Sequence, residues 1–222
     1  MALARAAVRS GTRIVVATPH RSRRWPTEPE DVAAGVARML ALYERDGLEL
    51  ELLPGAEVTV DEAAKLDEPT LRALRLGGGP YVLLESPYEF AGIELERTAA
   101  ALMERGHGVL LAHPERCPAF MDRPRRLREL VERGVLCSVT AGSLAGHFGQ
   151  ASRWFALELV RDGLAHSVDS DAHDAERRPP GLREGLRAAA RHLPAMAQLE
   201  PWLAEEMPAA ILSGDPLPPR PA

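Results

Sequence analysis

The order of hydrophobic and polar residues along the chain repeats one unit. A stretch rich in Ala, Leu and Arg ends at a glycine, a short apolar run follows, and the run ends in polar residues. Runs such as 14–16 and 109–111 are apolar without alternation, which is typical of parallel strands buried on both faces. The runs of five units follow Gly11, Gly47, Gly108, Gly134 and Gly163, and the sixth run, PYVLLE, covers residues 80–85. Alternating helix and buried strand predicts an α/β fold with a parallel sheet, open or closed into a barrel.

Helix signals and chain ends refine this outline. Thr27 and Glu30 have the spacing of a capping box, with Pro29 in the first turn of the predicted helix. The chain begins in a helical stretch with no strand before it, so the predicted barrel looks truncated. We expect a domain over residues 1–213 and a proline-rich tail over 214–222 that does not pack.

Composition excludes several classes of protein. The 222 residues are 45% hydrophobic, enough for one domain with its own core. With 27 basic and 32 acidic residues the net charge is −5, which argues against nucleic acid as a partner. No apolar stretch approaches the roughly 20 residues of a membrane span. Cys117 and Cys137 are too few for a disulfide scaffold or a Cys-rich zinc site, so the reducing cytoplasm is the expected compartment.

Most polar clusters contain metal-ligand side chains. Carboxyl ends of parallel strands share one edge, so these side chains should converge. Three histidines, two glutamates and at least one aspartate of these clusters would then meet at one rim. Imidazole and carboxylate without thiolate suit Mn²⁺, Zn²⁺ or Fe²⁺, and six ligands exceed one tetrahedral site, so two or three ions are predicted. Such clusters catalyse phosphoryl hydrolysis.

Further polar residues near the same edge are candidates for substrate contacts. Arg116 and Arg178 are placed to clamp a phosphate through paired hydrogen bonds. His147 is a candidate substrate contact near the rim. Arg23 and Arg24 follow His20 and either steer an anionic peptide toward the site or belong to a solvated loop.

Three other residues have structural interpretations. His107 falls in a helix-to-strand turn at the opposite rim and His166 begins a strand, so both are expected to be structural. Asp169 either orients the ligands or simply ends its strand.

Six motifs in order resemble the PHP (polymerase and histidinol phosphatase) family, and within it the CpsB/CapC tyrosine phosphatases of capsule and exopolysaccharide assembly. The motifs are IVVATPH (14–20), LLPGAEV (52–58), VLLESP (82–87), LLAHPER (110–116), VTAGSLAGHFG (139–149) and SDAH with RRPP (170–180). The resemblance implies a distorted (β/α)₇ TIM-like barrel and a centre of up to three divalent ions, most often Mn²⁺. It also implies hydrolysis of phosphotyrosine on a partner tyrosine autokinase, and self-association. The ligands that the resemblance implies are His20, Glu57, Glu85, His113, Asp171 and His173, with Arg116 and Arg178 binding phosphate.

One departure from the family concerns its first strand, which carries an H-x-H pair followed by a further carboxylate. This sequence contains none of these, so the first strand of the barrel is missing from the chain. Either the start is assigned too late, or the metal site is incomplete and holds fewer ions. An open barrel would expose two strand edges and lower the stability.

Three alternatives to a metal-dependent tyrosine phosphatase stay open. One is another PHP phosphoesterase that acts on a small monoester such as histidinol phosphate. A second is a catalytically impaired remnant that docks on the kinase. A third uses Cys117 and Arg123, which have the C-x₅-R spacing of cysteine-dependent phosphatases, but Pro118 and the lack of glycine in that loop argue against an anion cradle.

Overall fold

The computed structural model describes residues 1–88 and 94–221. Its strands are β1 Ile14–Ala17, β2 His20–Arg21, β3 Glu51–Pro54, β4 Glu57–Val58, β5 Tyr81–Glu85, β6 Gly108–Ala112, β7 Leu136–Thr140 and β8 Ser167–Asp169. Its helices are α1 Ala2–Arg9, α2 Pro29–Arg45, α3 Val60–Ala63, α4 Glu68–Ala73, α5 Glu94–Glu104, α6 Pro118–Asp122, α7 Pro124–Glu132, α8 Ala141–Ala145, α9 Gln150–Arg161, α10 Leu182–Ala190, α11 Met196–Pro201 and α12 Met207–Ser213. Short 3₁₀ turns cover Leu76–Gly78 and Pro114–Arg116, and a π-helical segment covers Trp202–Glu206.

The strands form two parallel sheets. One sheet pairs β1 with β3, and the other has six strands in the order β2-β4-β5-β6-β7-β8. Only Thr18 and Pro19 separate β1 from β2, and only Gly55 and Ala56 separate β3 from β4. The pair β2 and β4 therefore extends the pair β1 and β3 after a short interruption. The predicted α/β fold with parallel strands is confirmed.

The core lies on both faces of the larger sheet. All five residues of β7 are buried, as are four of the five in β6. Helices supply the opposing surfaces, for example Leu127 and Leu130 of α7 and Leu186 of α10. Strands packed on both faces need apolar side chains at every position, so the runs in the sequence show no alternation.

The start of α2 differs from the prediction. Its N-cap is Glu28, whose side chain makes no capping hydrogen bond, and Pro29 is the first helical residue. The Thr27 hydroxyl instead donates to the carbonyl oxygen of His20, at 2.8 Å. The predicted capping box is therefore wrong, and Thr27 fixes the backbone next to His20.

The proline-rich tail packs on the domain, so the expectation that it would not is wrong. The indole N–H of Trp202 donates to the carbonyl oxygen of Pro218 at 3.0 Å. The Arg220 guanidinium donates to the carbonyl oxygen of Val160 at 3.0 Å. The segment thus docks without regular structure, through one proline carbonyl oxygen that accepts and one arginine side chain that donates.

None of the helices in the two described parts of the chain has both the length and the apolar character that crossing a membrane requires.

His107 and His166 have the structural roles that the sequence predicts. His107 is buried between Arg75, whose Nε donates to its Nδ1 at 2.9 Å, and Glu68 at 3.0 Å from its Nε2. Nδ1 of His166 accepts the backbone N–H of Cys137 at 3.1 Å. Burial lowers the pKa of His166 to about 4.

The lowered pKa of His166 predicts acid sensitivity of the fold. The unfolded chain binds the proton below pH 6.5 and the folded chain only below about 4, so this stabilisation is complete above 6.5 and is lost as the pH falls. We expect the free energy of unfolding to fall by about 2 kcal/mol more between pH 7 and 4.5 in the wild type than in His166→Asn, which keeps an acceptor. Urea unfolding of EDTA-treated protein measures this. The exposed His192→Asn is the control, and identical pH dependence of His166→Asn and wild type would refute the assignment.

Candidate metal and phosphate site

A cavity of about 260 Å³ opens at the carboxyl ends of the strands. It is lined by His20, Glu57, Glu85, Tyr88, His113, Arg116, Asp171, His173 and Arg178. All six candidate metal ligands and both candidate phosphate-binding arginines are among these residues. The parallel strand order explains this convergence, because each polar cluster follows a strand that ends at the same edge.

Strand register places the first two candidate ligands side by side. His20 of β2 is the direct partner of Glu57 of β4. Nδ1 of His20 lies 3.1 Å from Oε2 of Glu57 and 4.0 Å from Oε2 of Glu85. Oε1 of Glu57 lies 2.9 Å from Nε2 of His113, so this buried carboxylate bridges two imidazoles.

The donor atoms fit a divalent cation. One ring nitrogen of His20 and one carboxylate oxygen each of Glu57 and Glu85 lie within 4.8 Å of one another. Nitrogen and oxygen donors without sulfur suit Mn²⁺, Fe²⁺ or Zn²⁺. Asp171 and His173 line the same cavity, and Nδ1 of His173 lies 3.6 Å from Oδ1 of Asp171. Together with His113, six imidazole and carboxylate side chains are available to hold metal.

The carboxylates of the cavity differ in their proton affinity. Burial by itself raises the pKa of Glu57, but hydrogen bonds from His113 and His20 and their positive charges lower it to about 2. Burial and the negative charge of Glu57 raise the pKa of Glu85 above its usual range. Glu57 is therefore an anion at neutral pH, and a cation between Glu57 and Glu85 would relieve their repulsion.

The turn after β6 carries two functional side chains. His113 has a left-handed backbone with φ of 37°, which is uncommon for a residue other than glycine. Glu115 is fully buried, and its Oε1 accepts the Ser143 hydroxyl at 2.6 Å and the Thr140 N–H at 3.1 Å. Glu115 thus ties the turn with His113 and Arg116 to the end of β7. Sequence reasoning gave Glu115 no role, although it lies inside the HPER motif.

Two arginines meet on one carboxylate. Nη1 of Arg116 donates to Oδ2 of Asp171 at 2.7 Å, and Nη2 of Arg178 donates to the same oxygen. Asp171 also has a left-handed backbone, with φ of 45°. Strained backbone at such positions typically costs about 1–3 kcal/mol and is concentrated at functional sites.

Aromatic side chains surround Arg116, and sequence reasoning missed them. Cζ of Arg116 lies 4.8 Å from the ring centroid of Tyr88 and 4.0 Å from that of Phe148. The Tyr88 ring also stacks on His113 at a centroid distance of 5.3 Å. Tyr88 lies three residues after Glu85, and Phe148 lies within the VTAGSLAGHFG motif. Their closeness in sequence to motif residues is the one feature that could have indicated a role in the site.

The remaining candidate substrate contacts lie outside the cavity lining. Arg23 and Arg24 are exposed at the tip of a turn in which Ser22 and Trp25 exchange backbone hydrogen bonds of 2.9 and 3.1 Å. His147 is exposed, and its Nε2 lies 3.4 Å from Oε1 of Glu184. The turn begins directly after β2, which carries His20.

Two further sequence hypotheses can be compared with the structure. Cys117 is buried and burial raises the pKa of its thiol, whereas a nucleophilic cysteine needs a lowered pKa.

Asp169 accepts the Ser138 hydroxyl at 2.6 Å, and burial together with the charge of Asp171 raises its pKa to about 7. The hydrogen bond with Ser138 ties the end of β8 to β7.

Comparisons with known proteins agree on one family. The family model described as capsular polysaccharide synthesis, CpsB/CapC, matches residues 1–200. The tyrosine-protein phosphatase YwqE of Bacillus subtilis is 34% identical over 185 residues, which cover 83% of this chain and 73% of that protein. The putative tyrosine-protein phosphatase CapC of Staphylococcus aureus is 29% identical over 171 residues, covering 77% and 67%.

A solved structure is also similar. It comes from the crystal structures of YwqE from Bacillus subtilis and CpsB from Streptococcus pneumoniae, described as unique metal-dependent tyrosine phosphatases. The match has a TM-score of 0.82 at 29% sequence identity and covers 99% of this chain and 90% of that one.

Proposed function

Because the chain belongs to the CpsB/CapC family of capsular polysaccharide synthesis, we propose that it is a metal-dependent protein-tyrosine phosphatase. The observation that carries this function is the single cavity in which six metal-ligand side chains meet two arginines. Relatives named as tyrosine-protein phosphatases support the same activity.

We propose the following division of roles at the cavity. His20, Glu57, Glu85, His113, Asp171 and His173 would hold the divalent ions, which we take to be Mn²⁺. When bound, such ions supply a Lewis acid and lower the pKa of water. Arg116 and Arg178 would donate hydrogen bonds to the non-bridging phosphate oxygens and orient the ester. Buried Glu115 would keep Arg116 in place through its bonds to Thr140 and Ser143.

The finer fold and the setting of the protein are proposals as well. The six-stranded parallel order supports a PHP-type distorted (β/α)₇ TIM-like barrel whose H-x-H strand is not among these 222 residues. Both cysteines are free and buried, as expected in the cytoplasm, where we place the protein. The proposed substrate is phosphotyrosine on a tyrosine autokinase of polysaccharide assembly, and self-association is proposed from the family.

The phosphatase function predicts metal-dependent turnover. We expect the chain to release inorganic phosphate from a phosphotyrosyl peptide with Mn²⁺ present, and to lose the activity in excess EDTA. Histidinol phosphate, assayed in parallel, should be a poor substrate. A preference for histidinol phosphate would instead favour the small-monoester phosphoesterase.

Absence of turnover with every metal would lead to a second assay. An upstream strand with an H-x-H pair, taken from a relative, is joined to the chain and the same peptide is tested. Recovered activity would support the phosphatase function and show that the added strand completes the metal site. Continued inactivity, with metal content below the family's full set, would support the remnant that docks on the kinase.

The peptide around the phosphotyrosine is proposed to contact the turn after β2, and also His147. Arg23 and Arg24 form the tip of this turn, and Cζ of Arg24 lies 5.4 Å from the ring centroid of Trp25. Trp25 is 56% exposed, so the tip presents two cations and an aromatic face to solvent. Acidic and aromatic residues flanking the phosphotyrosine match this chemistry.

The tip arginines predict an effect on peptide binding alone. In the double variant Arg23→Ala with Arg24→Ala we expect the KM of an acidic phosphopeptide to rise about threefold to tenfold, as for exposed charge pairs. The KM of p-nitrophenyl phosphate should be unchanged, because this small ester reaches only the cavity. Arg9→Ala with Arg38→Ala, both exposed on helices, is the matched control. An unchanged peptide KM would indicate a solvated loop.

A further inference from the structure

Phe148 lies against both candidate phosphate-binding guanidinium groups. Its ring centroid is 4.0 Å from Cζ of Arg116 and 5.6 Å from Cζ of Arg178. Both distances are within the roughly 6 Å over which an aromatic face attracts a cation. The side chains of Arg116 and Phe148 are largely shielded from solvent, with 13% of Arg116 exposed, so water screens this attraction weakly.

The loop that carries Phe148 is fixed on both sides. Gly146 and Gly149 have φ of 93° and 90°, which only glycine adopts readily. The backbone N–H of His147 donates to the carbonyl oxygen of Gly142 at 2.9 Å, and that of Gly149 donates to Gly146 at 3.2 Å. The backbone therefore sets where the ring lies.

Gly142 supplies the space behind the ring. A Cβ atom at Gly142 would lie 2.8 Å from Cε2 of Phe148, closer than real contacts allow. The ring is thus held between the backbone of α8 and the two guanidinium groups. Any side chain at Gly142 would have to displace it.

We propose that Phe148 is a positioning residue that holds Arg116 and Arg178 in the orientation that receives the phosphate group. The reason lies in Asp171, which both arginines contact and which is also a candidate metal ligand. Arginines anchored by Asp171 alone would lose that anchor whenever metal takes the carboxylate. A neutral aromatic face anchors them without competing for metal. This inference rests on the proposed phosphatase function.

Three substitutions at Phe148 separate stacking from simple packing. Phe148→Tyr keeps the ring and should behave as wild type. Phe148→Ala should raise the KM for the phosphotyrosyl peptide and the inhibition constant of inorganic phosphate together, by about tenfold, a loss typical of a shielded cation–π contact. Phe148→Leu keeps apolar bulk without the aromatic face and should resemble Phe148→Ala. If the leucine variant matches wild type, or the phosphate inhibition constant is unchanged, the proposal fails.

Gly142→Ala tests the position of the Phe148 ring without changing Phe148 itself, because the added methyl group would displace the ring. Gly142→Ala should raise the phosphate inhibition constant as Phe148→Ala does. The double variant should have the same inhibition constant as either single variant, because both substitutions remove the same contact of the Phe148 ring with the arginines. Additive effects would show that Gly142 acts independently of Phe148. Thermal unfolding of each variant identifies loss of folding.

A spectroscopic measurement keeps the test independent of turnover. In ¹⁵N-labelled protein, ring current from Phe148 should shift the Nε–H resonances of Arg116 and Arg178, which are assigned by their loss in Arg116→Lys and Arg178→Lys. The shifts should persist in Phe148→Tyr and vanish in Phe148→Leu. Unshifted resonances in the wild type would overturn the proposal even if the enzyme is active. Shifted resonances in an inactive wild type would count against the phosphatase function alone.

Discussion

Replacing the carboxylate of Glu57 by an amide, Glu57→Gln, is expected to lower kcat/KM for a phosphotyrosyl peptide by at least about 10³-fold. Loss of a residue that merely supports a metal ligand typically costs about 10- to 100-fold, and Glu57 is proposed as a ligand itself. Glu57 is 5% exposed and bridges His20 and His113. The neutral amide would remove the anion that both imidazoles face, so metal content measured by mass spectrometry should fall together with activity.

The matched control for this substitution is Glu62→Gln. Glu62 is also largely buried and pairs with basic side chains, with its Oε2 3.7 Å from Nε of Arg21 and its Oε1 3.1 Å from Nζ of Lys65. It does not line the cavity. The control should retain full metal content and activity. A Glu57→Gln variant that kept its metal and turned over normally would remove Glu57 from the proposed ligand set.

The strands were predictable from sequence because burial on both faces leaves a simple signal. All six apolar runs contain strands in the structure, and within each of the two sheets the strand order follows the order along the chain. The sequence predicts that the first two runs end near Pro19 and Gly55, but it does not predict that strand pairing resumes in β2 and β4, because that pairing depends on register between distant segments. The cap of α2 was wrongly predicted because the helix begins one residue later than a Thr27 cap requires, with Glu28 as N-cap. The local turn after β2 instead directs the Thr27 hydroxyl to the His20 carbonyl oxygen.

The part of the candidate site that the sequence predicts is the set of imidazole and carboxylate side chains near the carboxyl ends of strands. Glu85 ends β5, and His113, Asp171 and His173 follow strands. His20 and Glu57 begin the short strands β2 and β4, which come directly after β1 and β3, so all six line one cavity at this edge. Phe148 and Tyr88 were not predicted because aromatic residues are common in cores and carry no spacing signal. Their roles depend on distances to Arg116, which no sequence pattern contains.

Two candidate ligands, His113 and Asp171, also shape the backbone of the loops that carry the arginines. His113 and Asp171 both adopt positive φ, at the ends of β6 and just after β8. In this conformation the chain turns sharply, so that Arg116 and Arg178 reach the oxygen of Asp171 from two different loops. These partly buried contacts offset the strain, and they depend on how the two loops approach each other rather than on the identity of any single residue.

Replacing Arg116 by lysine, Arg116→Lys, is expected to lower kcat/KM by about 100-fold, or ~2.7 kcal/mol, while metal content stays unchanged. Lysine keeps the charge but loses the planar fork that binds two phosphate oxygens and stacks on Phe148. Arg161→Lys is the control, because Arg161 is 59% exposed and pairs only with the neighbouring Asp162 among the contacts described. Peptide hydrolysis and metal analysis are measured on the same samples. Equal activity of Arg116→Lys and wild type would mean that charge alone suffices at this position, whereas loss of metal would assign Arg116 to the support of Asp171 rather than to phosphate.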